Sequence, residues 1–184
     1  MNLDVILFQF FNNRAGIHGG LDAIGIFLAL FLLPLMGVLV ILAAFTIKRL
    51  REEHWYELPL KAFCAGVLAY VVRTVLGLII ARPRPFLALS DMHLLVSRES
   101  SYGFPSGHAS VAFALAFVIY RHDRDWGMAF FIIAALVAVG RVFVGVHYPL
   151  DVLAGAVLGW ICARGVAWFE RKEWGKIARA MRIR

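Results

Sequence analysis

Long apolar runs alternate with short polar interruptions along this chain, and the run lengths set the class of structure. No charged residue occurs from Ala23 to Ile47, a stretch long enough to cross a bilayer core of ~30 Å as a helix. The pattern predicts a first span over about Leu21 to Ile47. It is expected to kink at Pro34, because proline has no N–H and crowds the carbonyl four residues back. A second span covers about Leu58 to Ala81, with Lys61 near its start and Arg73 in its middle. A polar loop follows, about Arg82 to Gly103. Then come a short apolar run from Ala109 to Tyr120, a fourth from Met128 to about Val146, and a fifth from about Leu150 to Phe169. The opening segment "NLDVILFQFFNN" is apolar but too short to span, and reads as a helix lying in the interface. The expected fold is all-α: a polytopic membrane helix bundle of about five spans plus an N-terminal interfacial helix, one domain over residues 1–184.

Composition agrees. A mean hydropathy of +0.77 with only 17% charged residues leaves too little polar surface for a soluble protein of this size. Cys64 and Cys162 lie inside apolar runs without metal-ligand spacing and read as small core side chains. Asp4 near the start, without a basic lead or a small-residue cleavage site, argues against a cleaved signal peptide.

Charge supplies the topology. Five spans put Lys48, Arg49, Arg51, Arg121, Arg124, Arg164 and the basic tail "RKEWGKIARAMRIR" on one side. The other side holds Arg14, Arg82, Arg84, Arg98 and Arg141. The positive-inside rule makes the first side cytoplasmic. Trp55, Trp126, Trp168 and Trp174 fall near its boundary, as an aromatic belt does. The net charge of +7 then reflects topology and attraction of the tail to anionic lipids, not nucleic-acid binding.

Three polar segments converge on the outer side. In "FPSGHAS", Ser106 can cap a helix start and Gly107 lets a group approach the backbone. Free N–H groups and the positive dipole end suit an anion, and His108 stands beside them. An ordinary capped helix carrying a hydrogen-bonded histidine is the plainer reading. From Ser106 to Tyr120 a helix spans only ~22 Å, so its start is expected to be sunk below the outer surface. In "GRVFVGVHYPLD", Asp151 lies four residues after His147. It can accept the Nδ1 proton and leave Nε2 free as a nucleophile. A helix-dipole partner is the alternative for Asp151, and a snorkelling cation for Arg141. In "ARPRPF", Arg84 and Arg82 offer planar forks for phosphate oxygens. For Arg82 a basic loop at the membrane surface is the favoured reading.

These segments resemble the signature of the type 2 phosphatidic acid phosphatase (PAP2) superfamily of membrane lipid phosphatases. Pro105-Ser106-Gly107-His108 matches its second motif. Arg141, His147 and Asp151 match the third, with Gly140 where serine is usual, and Arg84-Pro85 matches the first. The lysine expected seven residues before Arg84 is replaced by Gly77. Arg73 lies one turn earlier on the same face. Helical side chains lean toward their own N-terminus, so Arg73 is expected to point away from the site. The resemblance implies catalysis by His147 as nucleophile, Asp151 fixing its tautomer and His108 as acid. Arg84, Ser106, Gly107 and Arg141 would hold the phosphoryl oxygens, with no cofactor and no metal. The layout is most similar to bacterial undecaprenyl-diphosphate phosphatases of the bacitracin-resistance type. That implies a polyprenyl diphosphate or phospholipid substrate and a site facing outward from the bacterial cytoplasmic membrane. Phosphatases of phosphatidylglycerophosphate, phosphatidate or lipid A carry the same motifs. A lipid phosphotransferase and a non-catalytic lipid transporter are the remaining readings.

Overall fold

The computed structural model describes residues 2–47, 56–98 and 102–182, with side chains as far as Lys172. Lys48, Arg49, Arg51, Trp55 and Trp174, part of the charge and belt argument, lie outside the described residues or side chains, as does most of the basic tail. The elements are α1 (Leu3–Asn12), α2 (Gly19–Leu30), α3 (Leu32–Thr46), α4 (Glu57–Ile80), α5 (Pro85–Ala88), α6 (Gly107–His122), α7 (Arg124–Phe143) and α8 (Pro149–Arg182). Among the described residues the only strand-like pairing is an isolated bridge between Pro83 and Tyr102. The protein is an all-α membrane bundle.

Helices α4, α7 and α8 are each long and apolar enough to cross a bilayer, and α2 with α3 make a fourth span bent by 54°. The break falls at Phe31, three residues before the proline expected to cause it. The displacement follows from proline chemistry. The Pro34 ring collides with the carbonyl four residues earlier, so α2 stops at Leu30 and Pro34 sits in the first turn of α3, where it is tolerated.

The short helix α6, with 16 residues, packs against α4, α7 and α8 at the centre of the bundle. Half of its buried face is alanine, the rest being Ser110, Leu115, Val118 and Ile119. Small side chains alone do not bring α8 close enough. A Cβ at Gly155 would stand 2.8 Å from the Ser106 carbonyl, and one at Gly159 would stand 2.5 Å from the Ser110 carbonyl. These two glycines, one turn apart, let the α6 backbone lie directly on α8, the close approach that membrane helices use in place of a hydrophobic drive. Gly140 does the same for α2, since a side chain there would meet the Ala29 amide at 2.8 Å. That contact accounts for glycine where the family usually has serine. Outward faces are apolar, with Leu78 and Ile79 among the most exposed side chains, as lipid contact requires.

At the end of the bundle remote from the three polar segments, Lys61 on α4 bonds Glu57 and Glu170 at 2.7 Å each, joining α4 to α8. At the other end lie the C-termini of α4 and α7 and the N-termini of α6 and α8. The three polar segments are the connections at that end.

Candidate active site

The α7–α8 connection is built so that His147 cannot move freely. Val144 and Gly145 close α7, with Gly145 at φ +89°, a left-handed conformation that favours glycine. Pro149 then opens α8, its missing N–H falling where no helical bond is made. His147 is 1% exposed. Its Nδ1 lies 3.5 Å from Asp151 Oδ2, and its Nε2 lies 3.1 Å from Arg84 Nη1. The same Nη1 donates to the Val146 carbonyl at 3.0 Å, so Arg84, itself buried, is tied to the histidine loop.

Asp151 is held from three directions. Its Oδ2 accepts the Tyr148 amide at 2.9 Å, its Oδ1 accepts Arg82 Nη1 at 2.7 Å, and its carbonyl accepts the Ser106 amide at 2.9 Å. Ser106 caps α6, its hydroxyl oxygen accepting from the Ala109 amide at 3.5 Å, as expected from the sequence. The Ser106 carbonyl in turn accepts the Ser110 hydroxyl at 2.8 Å.

Arg82 is not a loose surface cation. It pairs with Asp4 of α1 as well as Asp151, and its guanidinium lies 4.4 Å from the centre of the Tyr148 ring. Burial opposes its charge, but the hydrogen bonds and charges of Asp4 and Asp151 outweigh that effect and hold its pKa above the ordinary arginine value. Asp4 is 2% exposed, and its other oxygen accepts the Leu150 amide at the start of α8, at 2.9 Å. The chain Asp4–Arg82–Asp151–His147 therefore anchors α1 to the histidine loop. Sequence reasoning missed Asp4 and demoted Arg82. The available signal was a lone carboxylate inside an apolar segment, which is costly to bury without a cationic partner.

A cavity of about 490 Å³ opens on His147, Arg84, Gly107, His108 and Arg73. Its remaining wall, Leu33, Tyr70 and Val111, is shared together with His108 by an apolar groove of about 620 Å³ between α3, α4 and α6. Of the residues expected from the sequence, His147, His108, Arg84 and Gly107 line the cavity. Ser106 and Asp151 stand behind it as supports. Arg141 is fully buried, reaches the Ala29 carbonyl at 3.4 Å and is not part of the wall.

Arg73 corrects an expectation. Its Nε lies 3.4 Å from the Pro105 carbonyl, and it lines the cavity instead of pointing away. The lean toward the N-terminus fixes only the first bond of the side chain, and arginine is long enough to turn back. The partner has also come down to it. Gly77, three residues below the end of α4, faces the Phe104 carbonyl, which an added Cβ would meet at 3.4 Å, so the start of α6 lies below that end, within reach of Arg73. Among the described residues, no three His, Cys, Asp or Glu side chains converge to hold a metal ion.

The model of the PAP2 superfamily matches residues 58–174, which include every residue of the cavity wall except Leu33. The chain belongs to the PAP2 superfamily. It is therefore a multi-pass membrane phosphatase. Bacitracin transport permease protein BcrC of Bacillus licheniformis is 31% identical over 170 residues, covering 92% of this chain and 82% of that protein. Undecaprenyl-diphosphatase BcrC of Bacillus subtilis is 32% identical over 102 residues, covering 55% of this chain and 52% of that protein. Among solved structures, LpxE of Aquifex aeolicus superposes with a TM-score of 0.68 at 26% identity, covering 91% of this chain and 96% of that one.

Proposed function

We propose that this enzyme removes the terminal phosphate of undecaprenyl diphosphate at the outer face of the bacterial cytoplasmic membrane. The observation that carries the reading is the shared wall between the polar cavity and the apolar groove. One compartment offers histidines and guanidiniums, and the adjoining one offers room for an isoprenoid chain between helices. The undecaprenyl-diphosphatase relative supports the choice of lipid. The outward orientation rests on the excess of basic residues at the opposite end.

In the mechanism, His147 Nε2 attacks the terminal phosphorus and forms a phosphohistidine. Asp151, 3.5 Å from Nδ1, stabilises the developing positive charge on the ring. Arg84, already 3.1 Å from Nε2, meets the phosphoryl oxygens as their charge rearranges, with the Gly107 amide at the positive end of α6. His108, on the wall common to cavity and groove, protonates the bridging oxygen as it leaves with the lipid monophosphate, then activates water against the phosphohistidine. Ser106 holds the helix start in place. Arg141 is the further guanidinium expected to hold the phosphoryl oxygens. No step requires a metal.

The test is release of inorganic phosphate from undecaprenyl diphosphate in detergent with EDTA present, comparing wild type with His147→Ala. Release by wild type alone supports the reading. Release from phosphatidylglycerophosphate or lipid A in preference would reassign the lipid. Label passing to a second lipid instead of water would make the enzyme a transferase. Lipid movement unaffected by His147→Ala would make it a lipid transporter.

A further inference from the structure

We infer that Arg73 is a second phosphate-binding residue, gripping the lipid-linked phosphate of a diphosphate and so setting the enzyme's preference for diphosphates over monophosphates. The inference rests on the diphosphatase reading above and assigns the two phosphates to different ends of the same cavity. The cavity wall contains two guanidiniums, Arg73 and Arg84, and no carboxylate. Arg84 belongs to the nucleophile's end, bonded to His147 Nε2 and the Val146 carbonyl.

Arg73 belongs to the leaving-group end. It packs on the open face of Gly107, where an added Cβ would stand 3.2 Å from its Nε and 3.3 Å from its Cδ. Gly107 is the residue immediately before His108, the proposed acid. One turn down α4 from Arg73 is Tyr70, on the wall where cavity and groove meet. A lipid lying in the groove with its terminal phosphorus at His147 must pass its first phosphate between these groups.

Arg73 is also prepared for an anion. Its Nε is occupied by the Pro105 carbonyl at 3.4 Å, while its two terminal nitrogens make no hydrogen bond to the described residues. They lie beside the N-terminus of the 16-residue helix α6, whose dipole is also positive. Two like potentials facing one cavity are relieved by a bound phosphate. Gly77, in the family's lysine position, faces the same segment: a Cβ there would lie 3.4 Å from the Phe104 carbonyl. The cation absent at Gly77 is thus supplied from one turn deeper, where it meets the inner phosphate.

In the step itself, the bond from His147 Nε2 to the terminal phosphorus forms as the bond from that phosphorus to the bridging oxygen breaks. The bridging oxygen takes the His108 proton and stays with the lipid monophosphate, and Arg73 neutralises that product's charge as it develops. A monophosphate ester leaves as an uncharged alcohol and offers Arg73 no second phosphate.

The experiment compares kcat/KM for farnesyl diphosphate and farnesyl monophosphate in wild type, Arg73→Gln and Arg73→Lys, with detergent size-exclusion profiles and melting temperatures as folding controls. Wild type is expected to prefer the diphosphate. Arg73→Gln should lower diphosphate turnover roughly 100-fold and reduce the diphosphate-to-monophosphate ratio by at least about tenfold, with Arg73→Lys recovering part of it. Equal losses on both substrates in a folded variant would overturn the role of Arg73 while leaving the diphosphatase reading intact. A wild type that hydrolyses the monophosphate and spares the diphosphate would overturn the reading itself.

Discussion

Replacing Asp4 by alanine tests whether the N-terminal helix is part of the catalytic scaffold. Asp4 is 2% exposed and makes two bonds, one from Arg82 and one from the Leu150 amide at 2.9 Å. A hydrogen bond to a charged group contributes about 1.5–3 kcal/mol, and an orphaned buried partner adds a desolvation penalty. Arg82 keeps Asp151 at 2.7 Å and its side chain is 25% exposed, so water offsets part of its loss. The Leu150 amide has no such recourse. The combined loss is about 2–4 kcal/mol, which for a chain of this size lowers Tm by roughly 5–15 °C.

Leu150 is the second residue of α8, three beyond His147, so the first turn of that helix loosens where the nucleophile is set. A displacement of about 1 Å lowers kcat by up to roughly 100-fold, and we expect 10- to 100-fold with little change in KM. The assay is thermal unfolding in detergent alongside phosphate release. Arg82→Ala and the double variant complete a cycle in which the two losses should not add. If Asp4→Ala melts within about 1 °C of wild type and turns over at the wild-type rate, the chain Asp4–Arg82–Asp151 does not position the site.

Two further predictions address the packing and the groove. Gly155→Ala places a methyl group 2.8 Å from the Ser106 carbonyl, so the start of α6 must shift; activity should fall at least tenfold even where the protein still purifies as a folded species. Gly37→Leu meets no atom within 4 Å of its Cβ and lines the apolar groove. It should fold normally, raise KM for undecaprenyl diphosphate several-fold and leave a short-chain, micelle-free substrate nearly unaffected; equal effects on both chain lengths would argue against the groove as the seat of the tail.

The spans and the closeness of His147 to Asp151 were legible because both are local patterns. An uncharged run such as Ala23 to Ile47 has one physical solution in a bilayer. The spacing from His147 to Asp151 across a helix-opening proline brings the two side chains to 3.5 Å with little help from the remaining fold.

What escaped the sequence depends on pairings between distant segments. Arg73 was expected to point away because direction was judged from α4 alone, yet the sunken Pro105 carbonyl captures its Nε. Arg82 resembled a surface cation until Asp4, 78 positions away, was brought against it. Arg141 also donates to the Ala29 carbonyl on α2, a pairing that its motif spacing does not reveal. The kink near Pro34 was expected for the right reason, while its position at Phe31 follows from which carbonyl the proline ring displaces.

The central claim is covalent catalysis by His147, and the most direct measurement is to trap the intermediate. Undecaprenyl diphosphate carrying a radiolabelled terminal phosphate would be mixed with the detergent-solubilised enzyme and quenched in alkali within the first turnover. The mechanism predicts label on the protein that survives alkali, is released by mild acid, maps to the peptide containing His147 and is absent from a folded His147→Ala variant. A wild type that turns over at full rate without label, or a His147→Ala variant that labels and turns over equally well, would contradict it.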